Sequence, residues 1–294
     1  MHETASESLF EPLHDTSILA LEGVDAIDFA QSQFANDVRA LAVNTWQWNA
    51  WLTAKGRGVA LFMLLRSSEQ GLRAVCTGMP AATLASALSR TIFRRKVTLK
   101  VVEGARLWGC FDTQAGETRP DRTCQSTGEE QWLGEMDDRS GRRWRISTHT
   151  PCPEASQAFE TAWQLANLRR GLPYLQEQGS ELTAHQLGLH RLPALSLSKG
   201  CYPGQEIVAR THYLGKGHRQ LTRIAADSLL RDGSKLLCEG REVATVMNSL
   251  HVGPNAWEAL ACLSAQDEDN PIPGELQTEE GHRVSRLPFS NAFD

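Results

Sequence analysis

Eight residues in the last third of the chain combine a cysteine with a lysine and a tight turn. They read Lys199-Gly200-Cys201-Tyr202-Pro203-Gly204-Gln205-Glu206. The pair Pro203-Gly204 is typical of a type II turn, because proline presets φ and glycine accepts the left-handed position. Such a turn would fix the Cys201 thiol in place, and nearby cations favour the reactive thiolate form of a cysteine. The segment therefore predicts a functional thiol with Lys199 beside it.

Two side chains downstream of this motif could share in its chemistry. His212 is a candidate base for the Cys201 thiol, although a surface histidine would give the same pattern. Arg210 and Lys199 could form an anion site beside the thiol, or they could only solvate the loop. Cys201 could also be an ordinary buried thiol. Residues 160–224 hold eight basic and four acidic side chains, which suits a small anion and predicts no nucleic-acid platform.

Composition narrows the class of protein. The chain has 294 residues, a net charge of −5 and seven scattered cysteines without a C-x-x-C pair. Such cysteines favour a reducing cytoplasm over a disulfide framework, and they argue against a metal cluster or structural zinc held by this chain alone. The sequence shows no apolar run long enough to span a bilayer and no signal peptide. We therefore expect a cytoplasmic protein without a membrane partner.

The N-terminal third predicts a ferredoxin-like unit. Its apolar patterning and turn residues predict the element order β-α-β-β-α-β. The first helix would begin at Asp25 as its N-cap. The predicted elements are a strand over Thr16–Leu21, a helix from Asp25, a hairpin over Trp46–Thr53 and Val59–Leu65, a candidate extra strand over Arg73–Cys76, a helix over Pro80–Thr91 and a strand over Val97–Val102.

The rest of the chain predicts a second α+β part and a small barrel. A helix over residues 154–170 would end at Gly171, and Arg169 would point toward the same side as its apolar stripe. The residues of that stripe are Ala155, Ala158, Phe159, Ala162, Leu165 and Ala166. Short β-rich runs near the C-terminus, separated by Gly, Asp, Asn and Pro, indicate an antiparallel barrel. The predicted domains are a ferredoxin-like domain over 1–104, a second α+β part with the cysteine motif over 105–215, and a C-terminal β-barrel over 216–294.

The cysteine motif, continuing through Ile207-Val208-Ala209-Arg210, resembles the signature of the YgfZ family. These are bacterial folate-binding proteins related to the T-protein, the aminomethyltransferase of the glycine cleavage system. The resemblance implies an α+β fold in which ferredoxin-like units and a C-terminal antiparallel barrel surround a central folate channel. Further matches run across most of the chain and comprise Gly23-Val24-Asp25, Phe34 to Val38, Leu52 to Gly56, Trp163, Asn167, Gly171, Pro173, Gly215 and Arg219.

The resemblance also implies a cofactor and the residues around it. The cofactor would be tetrahydrofolate or a derivative, with the thiol of Cys201 acting beside its pocket. Trp163 would stack against the folate ring, whereas core packing is the alternative role for a helical tryptophan. The other pocket residues that the resemblance implies are Asn167, Arg169, Arg210 and Tyr202.

Arg169 departs from the family pattern. Many members carry a glutamate two residues before the glycine that here is Gly171, and that carboxylate can accept hydrogen bonds from the pterin. A guanidinium has no acceptor, so Arg169 cannot make this contact. It could instead pair with the glutamate tail of folate, pair with an internal carboxylate, or extend into solvent. A second departure is His190, where the family often has aspartate.

The resemblance predicts a folate-binding protein that supports iron–sulfur enzymes, including those of tRNA methylthiolation. Its expected partners are folate and those enzymes, and the sequence leaves open whether Cys201 gives it a transferase-like activity. One alternative is a true aminomethyltransferase, which the cysteine motif and Arg169 disfavour. The other alternative is a scaffold that has lost folate binding, which Arg169 and His190 favour.

Overall fold

The first part of the molecule is a five-stranded sheet with two helices. The computed structural model describes residues 10–112, 122–128, 130–137, 141–148, 154–214, 219–264 and 274–290. The sheet has the strand order β3-β4-β5-β2-β6, and every neighbouring pair is antiparallel. Its elements are β2 (Thr16–Glu22), α1 (Ala26–Gln33), β3 (Trp46–Leu52), β4 (Gly58–Ser68), β5 (Gly71–Thr77), α2 (Ala81–Ser89) and β6 (Thr98–Val101), preceded by β1 (Glu11–Pro12).

Two details of this part differ from the sequence prediction. The predicted order counts two strands between the helices, whereas the structure has three, because the candidate strand β5 pairs along its whole length with β2. Asp25 stands at the N-cap position of α1, but its side chain makes no capping hydrogen bond. Its carboxylate instead accepts from the backbone N–H of Lys96 at 2.6 Å, which ties the loop after α2 to α1.

A second five-stranded sheet follows, with the order β1-β7-β10-β9-β8. The short strand β1 crosses from the start of the chain to pair with β7. This sheet and the long helix α3 together form the second α+β part of the molecule. Its elements are β7 (Arg106–Phe111), β8 (Cys124–Gly128), β9 (Gln131–Glu135), β10 (Arg142–Ser147) and α3 (Gln157–Arg170).

The buried face of α3 agrees only in part with the predicted one. Phe159 of the predicted stripe is buried, but Ala158 and Ala162 are exposed and Trp163 is buried instead. The tryptophan fits because Gly109 on β7 lacks a side chain, and a Cβ there would lie 2.6 Å from the indole. The helix ends where the sequence predicts, at Gly171, which has a φ of 74° and closes the last turn.

The C-terminal part is a closed antiparallel barrel with the order β11-β14-β13-β12-β15-β16. This confirms the predicted barrel. The sequence predicts four of its strands, as runs over Gln220–Ala225, Glu242–Met247, Glu258–Leu263 and His282–Leu287, but not the two short strands β12 and β15. The domain boundary predicted at residues 215 and 216 lies outside the described residues. The elements are α4 (Gln205–Leu214), β11 (Arg219–Ala226), β12 (Lys235–Cys238), β13 (Arg241–Gly253), β14 (Ala256–Ser264), β15 (Leu276–Thr278) and β16 (Arg283–Leu287). Within the described part of the chain, no helix is long and apolar enough to cross a membrane.

Candidate functional site

The turn of the cysteine motif is packed against the hairpin turn between β3 and β4. Gly204 has a φ of +81°, as a type II turn requires. A Cβ on Gly204 would lie 2.6 Å from the carbonyl oxygen of Thr53 and 2.7 Å from the Cα of Gly56. Two segments that are about 150 residues apart in sequence are therefore in backbone contact. Helix α4 begins directly after this turn, and the Gly204 carbonyl accepts from the N–H of Val208 at 3.1 Å.

Cys201 is exposed just before this turn, between the exposed Gly200 and the buried Tyr202. Tyr202 is buried, and its hydroxyl donates to the carbonyl of Ser196 at 3.4 Å. Burial raises the pKa of Tyr202 to about 12. The turn therefore presents the Cys201 thiol outward from a fixed backbone, which excludes the ordinary buried thiol.

Lys199 lies on the inner side of the motif. Its Nζ donates to the carbonyl oxygens of Gln31 and Phe34 at 2.6 Å each, and to that of Asn36 at 2.9 Å. These carbonyls lie at the C-terminal end of α1 and just beyond it, where the helix cannot supply donors of its own. Burial lowers the pKa of Lys199 to about 8, although the charge of Asp37 opposes this shift.

The predicted role of Lys199 is therefore corrected. All three N–H bonds of its ammonium have backbone acceptors, so Lys199 fastens the cysteine segment to α1 instead of forming an anion site. The sequence could not reveal this, because the three acceptors are carbonyls more than 160 positions away. Lys199 is a structural support for the Cys201 segment.

We expect Lys199→Met to destabilise the protein by about 2–4 kcal/mol, because three carbonyl oxygens would lose a buried donor. The Cys201 segment should loosen, and the rate at which iodoacetamide labels Cys201 should change with it. Urea unfolding and peptide mass spectrometry measure the two effects. Lys100→Met, at an exposed position on β6, is the matched control and should change neither. Wild-type stability in Lys199→Met would show that the ammonium does not hold the segment.

Two further predicted residues lie on α4 and are exposed. Neither Arg210 nor His212 makes a hydrogen bond to Cys201 among the described residues, and the ring of His212 contacts Tyr213 at 5.1 Å between centroids. The charge of His212 instead acts on His190, which is stacked on His185 at 4.3 Å. Burial lowers the pKa of His190 to about 4, and the charges of His185, Arg191 and His212 also contribute to this lowering. The role of His212 as a base for Cys201 stays a prediction.

Trp163 and Asn167 form one buried cluster on α3. Trp163 is 4 % exposed and contacts Phe111 and Phe159 with its ring. The buried guanidinium of Arg142 lies over the indole at 4.7 Å and donates to Oδ1 of Asn167 at 2.7 Å. The alternative role, core packing, therefore describes Trp163 in this structure, and stacking on folate would require the cluster to open.

Arg169 pairs with an internal carboxylate, one of the three roles that the sequence left open. Its Nη2 donates to Oε1 of Glu258 on β14 at 2.8 Å, and Arg223 on β11 binds Oε2 of the same carboxylate at 2.7 Å. Burial alone would raise the pKa of Glu258, but hydrogen bonds and charge from the two arginines outweigh burial and lower it. The pair links the end of α3 to the barrel.

We expect Glu258→Gln to lower the free energy of unfolding at neutral pH by about 1–3 kcal/mol, since two arginines lose a buried carboxylate. A lowered pKa means that the ion pair stabilises the fold above the ordinary value of 4.5 and loses this effect as pH falls through the folded value. The difference from wild type should therefore close at acidic pH in urea titrations. Glu275→Gln, from an exposed pair with Arg283, should have little effect at any pH.

A cleft beside Cys201 was not predicted from the sequence. It has a volume of about 500 Å³ and is lined by α1 residues, Gly200, Cys201 and three arginines, Arg39, Arg94 and Arg95. The available signal was the basic run Arg94-Arg95-Lys96, which a search limited to the surroundings of Cys201 in sequence could not find. In the described part of the chain, no three His, Cys, Asp or Glu side chains are grouped as metal ligands.

Comparisons with known proteins agree with this architecture. No family model matches the chain. The crystal structure of glycine cleavage system aminomethyltransferase T from Bartonella henselae superposes with a TM-score of 0.76 at 14% identity, covering 96% of this chain and 86% of that one. The chain therefore has the fold of the aminomethyltransferase T class.

The sequence relatives narrow this class. An uncharacterized protein of Haemophilus influenzae is 28% identical over 96% of this chain and 99% of its own length. The tRNA-modifying protein YgfZ of Colwellia psychrerythraea is 25% identical over 73% of this chain and 71% of its own. That of Aliivibrio fischeri is 23% identical over 95% and 91%. The chain is thus similar in sequence to YgfZ tRNA-modifying proteins and similar in fold to aminomethyltransferase T of the glycine cleavage system.

Proposed function

We propose that this protein binds a reduced folate and uses Cys201 to support iron–sulfur enzymes of the cytoplasm, including those of tRNA methylthiolation. The observation that carries the proposal is the geometry of the cysteine motif. Gly204 is packed onto the β3–β4 turn, Lys199 is fastened to α1, and the Cys201 thiol between these two attachments is exposed. A lone thiol held on a fixed backbone at the surface suits reaction with a small molecule or a partner.

The fold and the relatives support the folate part of the proposal. The resemblance to the YgfZ family implies tetrahydrofolate or a derivative, and the relatives with that name are tRNA-modifying proteins. Of the residues that the resemblance assigns to the pocket, Asn167 is half-buried and already accepts from Arg142. Arg210 is exposed on α4. Stacking of folate on Trp163 therefore requires the cluster of Trp163, Arg142 and Asn167 to open.

Arg169 sets the expected preference among folates. Its side chain is 43% exposed although one edge is bound to Glu258. A guanidinium is a donor only, so in the proposed pocket Arg169 binds the carboxylate tail of folate, where bidentate pairing is favourable. The pterin ring then has to use an acceptor other than the side chain at position 169.

The cellular role is tested by complementation of a bacterial strain that lacks its own YgfZ-type protein. We expect the wild-type chain to restore methylthiolated nucleosides in tRNA, measured by liquid chromatography and mass spectrometry, and Cys201→Ser to fail. Equal amounts of folded protein, checked by immunoblot, are the control for expression. Full restoration by Cys201→Ser would remove the thiol from the proposal.

A scaffold without folate binding is the second candidate, and the Arg169–Glu258 pair favours it. This ion pair places an arginine where a pterin-binding carboxylate stands in many family members, and it also ties that arginine to the barrel. Under this alternative, complementation would still depend on surface contacts but would not depend on folate. Titration of the purified protein with tetrahydrofolate separates the two candidates, because only the first binds it.

A further inference from the structure

The cleft beside Cys201 is formed along one helix. Two segments that line the cleft are attached to α1. At the C-terminal end of α1, Lys199 donates to three carbonyls and thereby holds the adjoining Gly200 and Cys201. At the N-terminal end, Asp25 accepts from the N–H of Lys96 at 2.6 Å. The cysteine segment and the basic loop are therefore both attached to α1.

The basic loop is fastened at a second point. Nη1 of Arg95 donates to the carbonyl oxygen of Asp28 at 2.6 Å, and its guanidinium lies 5.9 Å from the ring centroid of Phe29. A Cβ at Gly23 would clash with the carbonyl oxygen of Lys96, which shows how closely the loop packs beside the start of α1. Arg94 directly precedes these two anchored residues.

The acidic groups in this cleft are already bound. The carboxylate of Asp28 accepts from Nε of Arg39 at 3.0 Å and from Nη2 at 2.8 Å. The carboxylate of Asp25 binds the Lys96 amide. Arg94 is exposed and has no hydrogen-bond or ion-pair partner among the residues that the structure describes. A cation without a partner thus shares the cleft with an exposed thiol, in a protein whose net charge is −5.

We propose that this cleft binds the anionic group, a carboxylate or a phosphate, of the small molecule on which Cys201 acts, and that Arg94 is its main contact. This inference rests on the proposed functional role of Cys201 and names the class of its substrate. It differs from the anion site predicted from the sequence, because the cations come from the loop after α2 and not from Lys199 or Arg210. A volume of about 500 Å³ accommodates a small organic anion.

The test compares two alkylating reagents of nearly equal size, anionic iodoacetate and neutral iodoacetamide. Both form an S–C bond at the thiolate and release iodide, so their rate ratio reports the local charge. We expect the ratio for Cys201, measured by peptide mass spectrometry, to exceed that of N-acetylcysteinamide by about three- to tenfold at low salt. A ratio equal to or below that of the model thiol would overturn the proposal, since the negative net charge alone predicts repulsion.

Two charge-reversal variants locate the effect. Arg94→Glu should abolish the preference for iodoacetate, read as the ratio of the iodoacetate rate to the iodoacetamide rate, because a change in the thiolate fraction affects both rates equally. Arg90→Glu makes the same change of charge at the exposed C-cap of α2, outside the cleft, and should keep the preference. An equal loss in both variants would show only a long-range field and would overturn the assignment to Arg94.

Competition identifies the anion, with ionic strength held constant by sodium chloride. Protection of Cys201 from iodoacetate by inorganic phosphate would support a phosphate-bearing substrate, and protection by succinate a carboxylate-bearing one. Protection by neither would overturn the proposal. Titration of the wild-type protein with tetrahydrofolate separates this inference from the proposed function. If the wild type does not bind folate but keeps its preference for iodoacetate, only the folate assignment is contradicted.

Discussion

Gly204→Ala is expected to cost about 3 kcal/mol or more in the free energy of unfolding, which would be among the largest effects of any single methyl group in this protein. Alanine at this position must adopt a φ of +81°, which strains an L side chain. Its Cβ would also lie 2.6 Å from the Thr53 carbonyl oxygen and 2.7 Å from the Cα of Gly56. Both contacts are with backbone, so neither can be relieved by a side-chain rotation.

Gly200→Ala is the matched control within the same motif. A Cβ on Gly200 meets no atom within 4 Å, and its φ is outside the positive range. We expect the unfolding midpoint of Gly200→Ala in urea to stay near that of wild type. Gly204→Ala should lower this midpoint strongly and should also speed the labelling of Cys201. Similar stabilities for the two variants would show that the motif is not packed against the β3–β4 turn.

Asp137→Asn is expected to destabilise the protein by about 3–5 kcal/mol, because it removes the charge of a carboxylate that is buried among cations. Asp137 is 0% exposed, and Arg122 and Arg170 bind its two oxygens. Nε1 of Trp48 also donates to it, at 3.3 Å. The change would leave the nearly fully buried Arg170 without this counter-charge, and the surrounding second sheet should lose cooperativity in unfolding.

The exposed Asp227 provides the control for this charge change. Asp227→Asn should leave the unfolding free energy within about 0.5 kcal/mol of wild type, as is usual for surface positions. Circular dichroism during urea unfolding measures both variants. A stable, fully cooperative Asp137→Asn would mean that the buried arginines find other acceptors, and the described ion-pair cluster would then be unimportant for the fold.

Local sequence signals predicted the parts of the site that depend on neighbouring residues. The Pro203-Gly204 turn, the Gly171 cap and the β3–β4 hairpin each follow from the conformational preferences of a few adjacent residues, and all three are present. The barrel was predicted in the same way, except for β12 and β15, which have only four and three residues. Such short strands give too few alternations to be recognised.

The pairing of charged side chains could not be predicted, because it depends on contacts between distant segments. Lys199 was expected to serve the thiol, but its acceptors are carbonyls at the end of α1. Arg170, not Arg169, is the buried arginine at the end of α3, because the helix turns Trp163 toward Gly109 and so rotates its buried face. Glu258, the partner of Arg169, lies 89 positions along the chain.

The most direct test of the proposed function is isothermal titration of the purified full-length protein with tetrahydrofolate, in its monoglutamate and polyglutamate forms. We predict that both forms bind. The polyglutamate should bind more tightly because Arg169 presents donors for its carboxylates, and this preference should fall as salt screens the charges. The absence of heat with either form, in protein whose folding is verified, would contradict folate binding and leave the scaffold as the function of this protein.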